Sequence, residues 1–264
     1  MNWLITGASS GVGRVMAIAL AGAGHRVLLT ARNESLLSDT QRNCLGSEVA
    51  VADLSHLEAV KELARHADTW AGPDGLAGIV HAAGLMLWDS PATRGGWSLV
   101  PAVNAVAPWQ LTLALEGVLH RAMAPRVLFI AGAPFTMNGI EPQLDQWKGE
   151  QKGRGLTLSL QSAAAKVWMA RELHRRWAGR GSAFAFHPGY LQSHLADGLP
   201  FPINLLGQLA QPFLGTRCQN GEFLALNSAA MALSGNLVAN RKASPQCPGP
   251  ENSAAEQEFL AKLN

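Results

Sequence analysis

Short apolar runs recur along the chain, separated by longer stretches whose apolar residues fall three and four apart. Trp3-Leu4-Ile5 reads as a buried strand. The same form returns at Arg26-Val27-Leu28-Leu29-Thr30, Val49-Ala50-Val51-Ala52, Gly78-Ile79-Val80-His81, Arg126-Val127-Leu128-Phe129-Ile130 and Ala183-Phe184-Ala185-Phe186. Helical spacing fills the gaps. One helix runs through Val15, Ile18 and Leu20 and closes near Gly22 and Gly24; another spans about Leu57 to Trp70, with Leu57, Val60, Leu63 and Ala64 on one face. Two more cover roughly Trp97 to Met123 and Leu160 to Trp177. Strands alternating with helices predict an α/β fold, a single-domain Rossmann fold: a doubly wound parallel sheet of about seven strands with helices on both faces. Its crossovers are expected to be right-handed, and its ligand to sit at the carboxyl ends of the strands.

Two segments break this rhythm. Residues 132–159 form a long link after the fifth strand, with Gly139, Gly149, Gly153 and Gly155. Residues 198–216 are apolar and proline-rich, with Pro200, Phe201, Pro202, Leu205, Leu206, Pro212 and Phe213. Long irregular links in compact domains are usually functional. The second is expected to be an apolar substrate lid within the domain; a packed surface helix between prolines is the plainer alternative, and a shallow membrane-surface contact a third.

The 264 residues are 48% apolar and 15% charged, which suits one domain over 1–264 with a large core. A formal charge of +2 gives no reason to expect nucleic acid or an anionic membrane as partner. Cys44, Cys218 and Cys247 are too few and too scattered for a disulfide framework or a metal site, so no metal and a reducing, cytoplasmic setting are expected. No apolar run is long enough to span a bilayer, and the glycine motif starting at Thr6 predicts no secretory signal ahead of the first strand.

Residues 6 to 13 read Thr-Gly-Ala-Ser-Ser-Gly-Val-Gly. Gly7, Gly11 and Gly13 lie between a strand and a helix, where glycine allows a tight turn and a close approach to pyrophosphate. The helix N-terminus adds free N–H groups and a positive dipole end. Ser9, Ser10 and Val12 belong to the same cradle. Arg32 directly follows the second strand. An acid there would bind a ribose 2′-hydroxyl, whereas arginine can pair with a 2′-phosphate; Thr30 and Ala31 offer no acid, so NADP is favoured over NAD. Arg14 can add to the same charge.

On these residues the chain resembles the short-chain dehydrogenase/reductase family over nearly its full length, and its retinol-dehydrogenase-like branch through the tail from Gly221 to Leu263. The resemblance implies an adenine-side acid at Asp53, beside Leu54. It implies a turn after the fourth strand at His81-Ala82-Ala83-Gly84, with Ala82, Ala83 and Gly84 against the cofactor. Asn104 is similar to the family's relay asparagine, Lys166 to its ribose-binding lysine, and Pro188-Gly189 to its nicotinamide turn, with Ser193 in place of a threonine. Pairing of copies through the helices at 97–123 and 160–177, as a homo-oligomer, is also implied.

Two positions depart from the family. Its tyrosine, four residues before the lysine, is Ser162 here; its serine after the fifth strand falls in Ala131-Gly132-Ala133-Pro134, which has no hydroxyl. A serine hydroxyl stops about 4 Å short of a phenol oxygen and is a poor acid. Losing a positioned general acid costs roughly 10²–10⁴-fold in rate. The candidate catalytic residues are therefore Asn104, Ser162, Lys166 and Tyr190, the chain's only tyrosine, in the turn after Pro188-Gly189; Tyr190 as substitute acid stands against Tyr190 as a packing residue. His81, His187 and His194 lie on the same side without an evident acid partner. Trp88 and Trp147 are expected either to wall the pocket or to belong to the core. Three functions remain open. One is an atypical NADP-dependent oxidoreductase acting on a small substrate that needs no phenolic proton, such as an iminium ion, a polarised C=C bond or a self-protonating carbonyl. Another is a redox-neutral enzyme of cyclisation, elimination or rearrangement in the same pocket. The last is a non-catalytic nucleotide-binding regulator.

Overall fold

In a computed structural model, residues 1–192, 195, 197–211, 214–244 and 253–264 are described. Six parallel strands follow the apolar runs: β1 (Asn2–Thr6), β2 (Arg26–Ala31), β3 (Glu48–Val51), β4 (Gly78–His81), β5 (Arg126–Ile130) and β6 (Ser182–Phe186). Two short strands extend the sheet, β7 (Leu237–Ala239) in parallel and β8 (Lys242–Ala243) antiparallel, giving eight strands in the order β3-β2-β1-β4-β5-β6-β7-β8. The expectation of about seven is thus one short. β8 is a two-residue return after the Asn240-Arg241 turn, whose residues have φ of 51° and 58°, as a tight hairpin requires. So short a strand leaves no periodicity to read.

The helices are α1 (Gly11–Gly22), α2 (Glu34–Gln41), α3 (Leu57–Ala71), α4 (Leu99–Pro101), α5 (Ala107–Ala114), α6 (Glu116–Leu119), α7 (Pro134–Met137), α8 (Gly155–Trp177), α9 (Ile203–Ala210), α10 (Gln219–Leu226) and α11 (Ala254–Leu263). Strand residues alternate between two buried layers. Leu4, Leu28, Ile79, Val127, Phe129 and Ala185 face the layer that holds α3, α5 and α8. Ile5, Leu29, Val80, Leu128, Phe186 and Val238 face the layer that holds Met16, Ala17 and Leu20 of α1 and Leu224 of α10.

Two expectations need correction, and one helix was not predicted. The helix over 97–123 is instead α4, a π-helical turn at Ala102–Val106, α5 and α6, ending at Leu119. Helix α8 begins at Gly155, five residues before Leu160. There the chain passes so close that a Cβ on Gly155 would lie 2.1 Å from the Leu87 carbonyl oxygen, and the Gly155 amide donates to Trp88 O at 2.9 Å. Finally, α2 carries no strong apolar pattern; an Asn33 side-chain cap on the Leu36 amide, 3.0 Å, starts it.

The 132–159 link is no open loop. It pairs with the segment after β4 through bridges Ser90↔Gln151 and Trp97↔Lys148. The 198–216 segment carries α9, with Phe201, Leu205 and Leu209 exposed and Leu199 buried. A Cβ on Gly198 would meet the Leu87 side chain at 2.6 Å, so the start of this segment lies against the same post-β4 loop. On the far side of α8, α11 covers the helices that the resemblance makes a pairing face. Phe259 packs edge-on against Trp147 and Trp168 at 5.1 and 5.5 Å. Buried Glu256 accepts from Arg171 at 3.4 Å and Arg175 at 2.9 Å.

Candidate active site

The glycine loop is set by backbone contact. A Cβ on Gly13 would lie 2.2 Å from the Gly7 carbonyl oxygen, and one on Gly7, at φ 66°, would lie 2.6 Å from the Ala83 backbone. Only glycine lets the first turn of α1 seat on the loop, and the loop on the turn after β4. Buried Thr6 fixes that second junction: its hydroxyl oxygen accepts from the Ala82 and Ala83 amides, each at 3.1 Å. In the sequence, its place between β1 and the motif is the only signal that Thr6 gives. Ser10 is extended and makes no side-chain cap, and no acid lies in the first turn of α1. The amides of that turn are therefore uncapped by side chains and suited to an anionic group such as a pyrophosphate. The cradle fits a dinucleotide.

Along the carboxyl edge, Asp53 follows β3, with Leu54 buried behind it. Burial disfavours the Asp53 charge, but the Ser55 amide at 2.9 Å, the Ser55 hydroxyl and the charges of Arg32 and His56 outweigh it and hold the carboxyl below its usual range. Arg32 is exposed at the end of β2, near enough to Asp53 for its charge to act there. Arg14 acts on the Cys44 thiol.

Asn104 sits inside the π-helical turn, and both ends of its amide go to one residue: Oδ1 accepts from the Leu85 amide and Nδ2 donates to the Leu85 oxygen, each at 2.9 Å. It thereby fixes the loop just beyond Gly84. A π-turn in a helix is commonly found at functional sites; no periodicity in the sequence marks it.

Lys166 projects from α8 across the end of β5. It is 6% exposed, and its Nζ donates to Ile130 O at 2.9 Å. Burial pushes the amine down to about 8. His81 lies beneath, fully buried and stacked on Phe129 at 5.0 Å. The Thr112 hydroxyl donates to Pro108 O at 2.8 Å, so His81 Nε2, 2.8 Å from that hydroxyl, carries the proton and donates. Nδ1 is then a buried acceptor without a partner. Burial first, and the Lys166 charge second, push His81 down to about 3, which keeps it neutral.

Ser162 is fully buried, and its hydroxyl donates to Leu158 O at 2.7 Å, one turn back along α8. After β5, a Cβ on Gly132 would come within 3.0 Å of Thr136 Oγ1. A hydroxyl from the first turn of α7 thus lies beside Gly132, in the stretch that the resemblance sets against the family's serine. Local sequence hid it, because Thr136 lies four positions downstream.

Tyr190 is 68% exposed, with its ring edge-on to His187 at 5.4 Å. The Pro188-Gly189 turn is held by Asn220 Nδ2 donating to His187 O at 2.7 Å, and Gly189 has φ 92°. A cavity of about 470 Å³ lies against this turn, lined in part by Tyr190, Leu191, Arg217, Asn220 and Arg241. Ser193 and His194 lie outside the described residues. Trp88 is half-exposed in the post-β4 loop. Trp147 is no pocket wall: it is fully buried, and its indole donates to Gln161 Oε1 at 2.8 Å. Its side of the link faces α8 and α11, and the core claimed it.

The family model for short chain dehydrogenases matches residues 2–133, and the chain belongs to that family. Retinol dehydrogenase 12 of Bos taurus is 29% identical over 260 residues, covering 95% of this chain and 81% of that protein; the chain is a retinol-dehydrogenase-like member. A solved short chain dehydrogenase from Salmonella enterica superposes with a TM-score of 0.66 at 21% identity, covering 90% of this chain and 94% of that one. A metagenomic short-chain oxidoreductase in complex with NADP gives 0.56 at 23% identity, covering 73% and 82%. The fold is shared with both. The chain is accordingly an oxidoreductase of a family that binds a nicotinamide cofactor and acts on small molecules. No described helix is long and apolar enough to cross a membrane.

Proposed function

We propose that the protein is an atypical NADP-dependent oxidoreductase whose substrate needs no phenolic proton donor. One observation carries this reading: Ser162, in the tyrosine's place, is fully buried with its hydroxyl spent on Leu158 O, so it is neither long enough nor free to protonate a substrate. The rest of the site is equipped for cofactor. Gly7, Ser9, Ser10, Gly11, Val12 and Gly13 would hold the pyrophosphate, Arg32 the 2′-phosphate, and Asp53 and Leu54 the adenine. Ala82, Ala83, Gly84, Pro188, Gly189 and Ser193 would border the nicotinamide half, and Lys166 would bind its ribose. The bound reduced nicotinamide supplies hydride. Asn104 holds the Leu85 loop, and residues 198–216 would close over an apolar substrate as a lid. Three scattered cysteines support a reducing, cytoplasmic setting.

The test is a titration with NADPH and NADH, followed by NADPH oxidation on simple ketones and aldehydes, on cyclic imines and on conjugated enones. Preference for NADPH that falls about tenfold in Arg32→Ala is expected, the range for a charge-assisted contact. Slow turnover of simple carbonyls is expected, and Ser162→Tyr should raise it. Equal affinity of both proteins for both cofactors, or fast wild-type reduction of simple ketones, would overturn the reading.

A further inference from the structure

Both hydroxyls near the end of β5 already donate to a backbone carbonyl. Thr136 Oγ1 donates to Ala133 O at 2.7 Å and Ser162 Oγ to Leu158 O at 2.7 Å. A hydroxyl whose hydrogen is committed offers only lone pairs to a ligand. Ser162 is sealed in the core, whereas Thr136 is part-exposed and lies within 3.0 Å of a Cβ built on Gly132. Thr136 is thus the hydroxyl that a substrate at the end of β5 can reach, and it is an acceptor. A carbonyl oxygen has no use for it. An N–H does. Resting on the function proposed above, we infer that Thr136 is a substrate-orienting residue, and that the substrate class is a protonated imine whose N–H donates to Thr136 Oγ1.

The chemistry balances without a protein acid. The imine carbon accepts hydride from the reduced dinucleotide, which is oxidised; the C=N π pair moves onto nitrogen; and a neutral secondary amine results, keeping the proton that came with the substrate. An alcohol could also donate to Thr136, but its oxidation would require a base for the hydroxyl proton, and the Thr136 hydroxyl is too weak a base for that. Among the described residues three titratable groups lie near the end of β5: His81, Lys166 and His187, which follows the Phe186 paired with Ile130 and whose imidazole burial pushes down. His81 is neutral. Lys166 is the one opposing charge; its ammonium is anchored on Ile130 O, and burial already disfavours the charged form.

Wild-type protein, Thr136→Val and Thr136→Ser would first be titrated with NADPH. NADPH oxidation would then be followed with 3,4-dihydroisoquinoline, its N-methyl cation and the ketone 1-tetralone. Binding of 1,2,3,4-tetrahydroisoquinoline to the NADP⁺-loaded protein, read by calorimetry, is the measurement independent of turnover. NADPH affinity should be equal in all three proteins. The wild type should favour the N–H imine over the N-methyl cation and over the ketone by roughly ten- to hundredfold, the range for a hydrogen bond to a charged group. Thr136→Val should lose that preference and bind the amine correspondingly more weakly, and Thr136→Ser should restore both. A merely structural Thr136 would leave the N–H against N-methyl ratio unchanged. Failure to bind NADPH overturns the proposed function. A protein that binds NADPH but turns over none of the three, or keeps its N–H preference in Thr136→Val, overturns this inference alone; one that reduces the ketone fastest overturns the proposed function with it.

Discussion

At the β1–α1 end of the cleft, backbone packing sets the geometry; at the β5–α8 end, side-chain reach does. The Gly13 and Gly7 contacts, at 2.2 and 2.6 Å from backbone atoms, leave no room for a Cβ. A change there moves the helix itself. Around β5, by contrast, the positions that the resemblance sets against the family's hydroxyl and phenol are Gly132, just past a strand paired to β6, and Ser162, on a helix tied to that strand by the Lys166–Ile130 bond. One end of the site can lose its chemistry without losing its fold, and the other cannot. On the proposed function, that asymmetry is how a chain could keep a cofactor cradle beside an altered reaction centre.

The hardest way to break the comparison is Gly13→Ala. Its Cβ would sit 2.2 Å from Gly7 O, so we expect about 4 kcal/mol or more of lost stability by chemical denaturation, together with loss of NADPH binding. Gly22→Ala, at the other end of the same helix, meets nothing within 4 Å and should be neutral or slightly stabilising. If Gly13→Ala folds and binds as wild type does, backbone packing is not what sets this end.

The β5–α8 end is braced from behind, and that brace is the next test. Glu256 is fully buried between Arg171 and Arg175. Removing one partner of a buried ion pair costs about 3 kcal/mol. Glu256→Ala should lower stability by that order and loosen α11 against α8, seen as faster amide exchange in both helices. A change under about 1 kcal/mol would show α11 to be a passenger.

Lys166 sharpens the comparison from the β5–α8 end, where its amine is held by Ile130 O. Lys166→Ala should weaken NADPH binding by about 1–3 kcal/mol, the range for a charged hydrogen bond. Stability offers a second reading. The folded amine titrates near 8 against an ordinary 10.5. Between those values the unfolded chain binds the proton and the folded one does not, so stability should rise with pH across about 8 to 10.5 and lie flat below. The full span is no more than about 3 kcal/mol. In Lys166→Met this rise should disappear from denaturation curves measured at pH 7, 9 and 10.5.

What was legible in the sequence follows the same division. The strands are apolar runs, and the glycines sit at fixed spacing between a strand and a helix; both are local patterns, so β1 to β6, α1 and the cradle could be read. Thr6, Thr136 and the π-turn around Asn104 act through contacts made in space. Thr6 looks like any strand-end residue until its hydroxyl is seen to receive the Ala82 and Ala83 amides. Trp147 sits in a glycine-rich link, yet Gln161 and Phe259 draw it into the core. The sequence places a serine at 162, but does not show that its hydroxyl donates to Leu158 O.

The smallest expected effect belongs to the residue that would otherwise rescue ordinary carbonyl chemistry. Tyr190 is 68% exposed, and its ring rests against His187. An exposed phenol is well solvated, and a general acid needs a fixed position within hydrogen-bond reach of the reacting atom. Among the described residues no hydrogen bond fixes the Tyr190 hydroxyl. Tyr190→Phe should therefore shift stability by no more than about 0.5 kcal/mol and leave NADPH oxidation within about twofold on every substrate of the panel. The His187 contact should persist, because phenylalanine keeps the ring. If Tyr190→Phe instead abolishes turnover while NADPH affinity holds, the phenol has moved into the site on substrate binding. The β5–α8 end would then have replaced its missing acid rather than dispensed with one, and simple ketones would return as the substrate class to pursue.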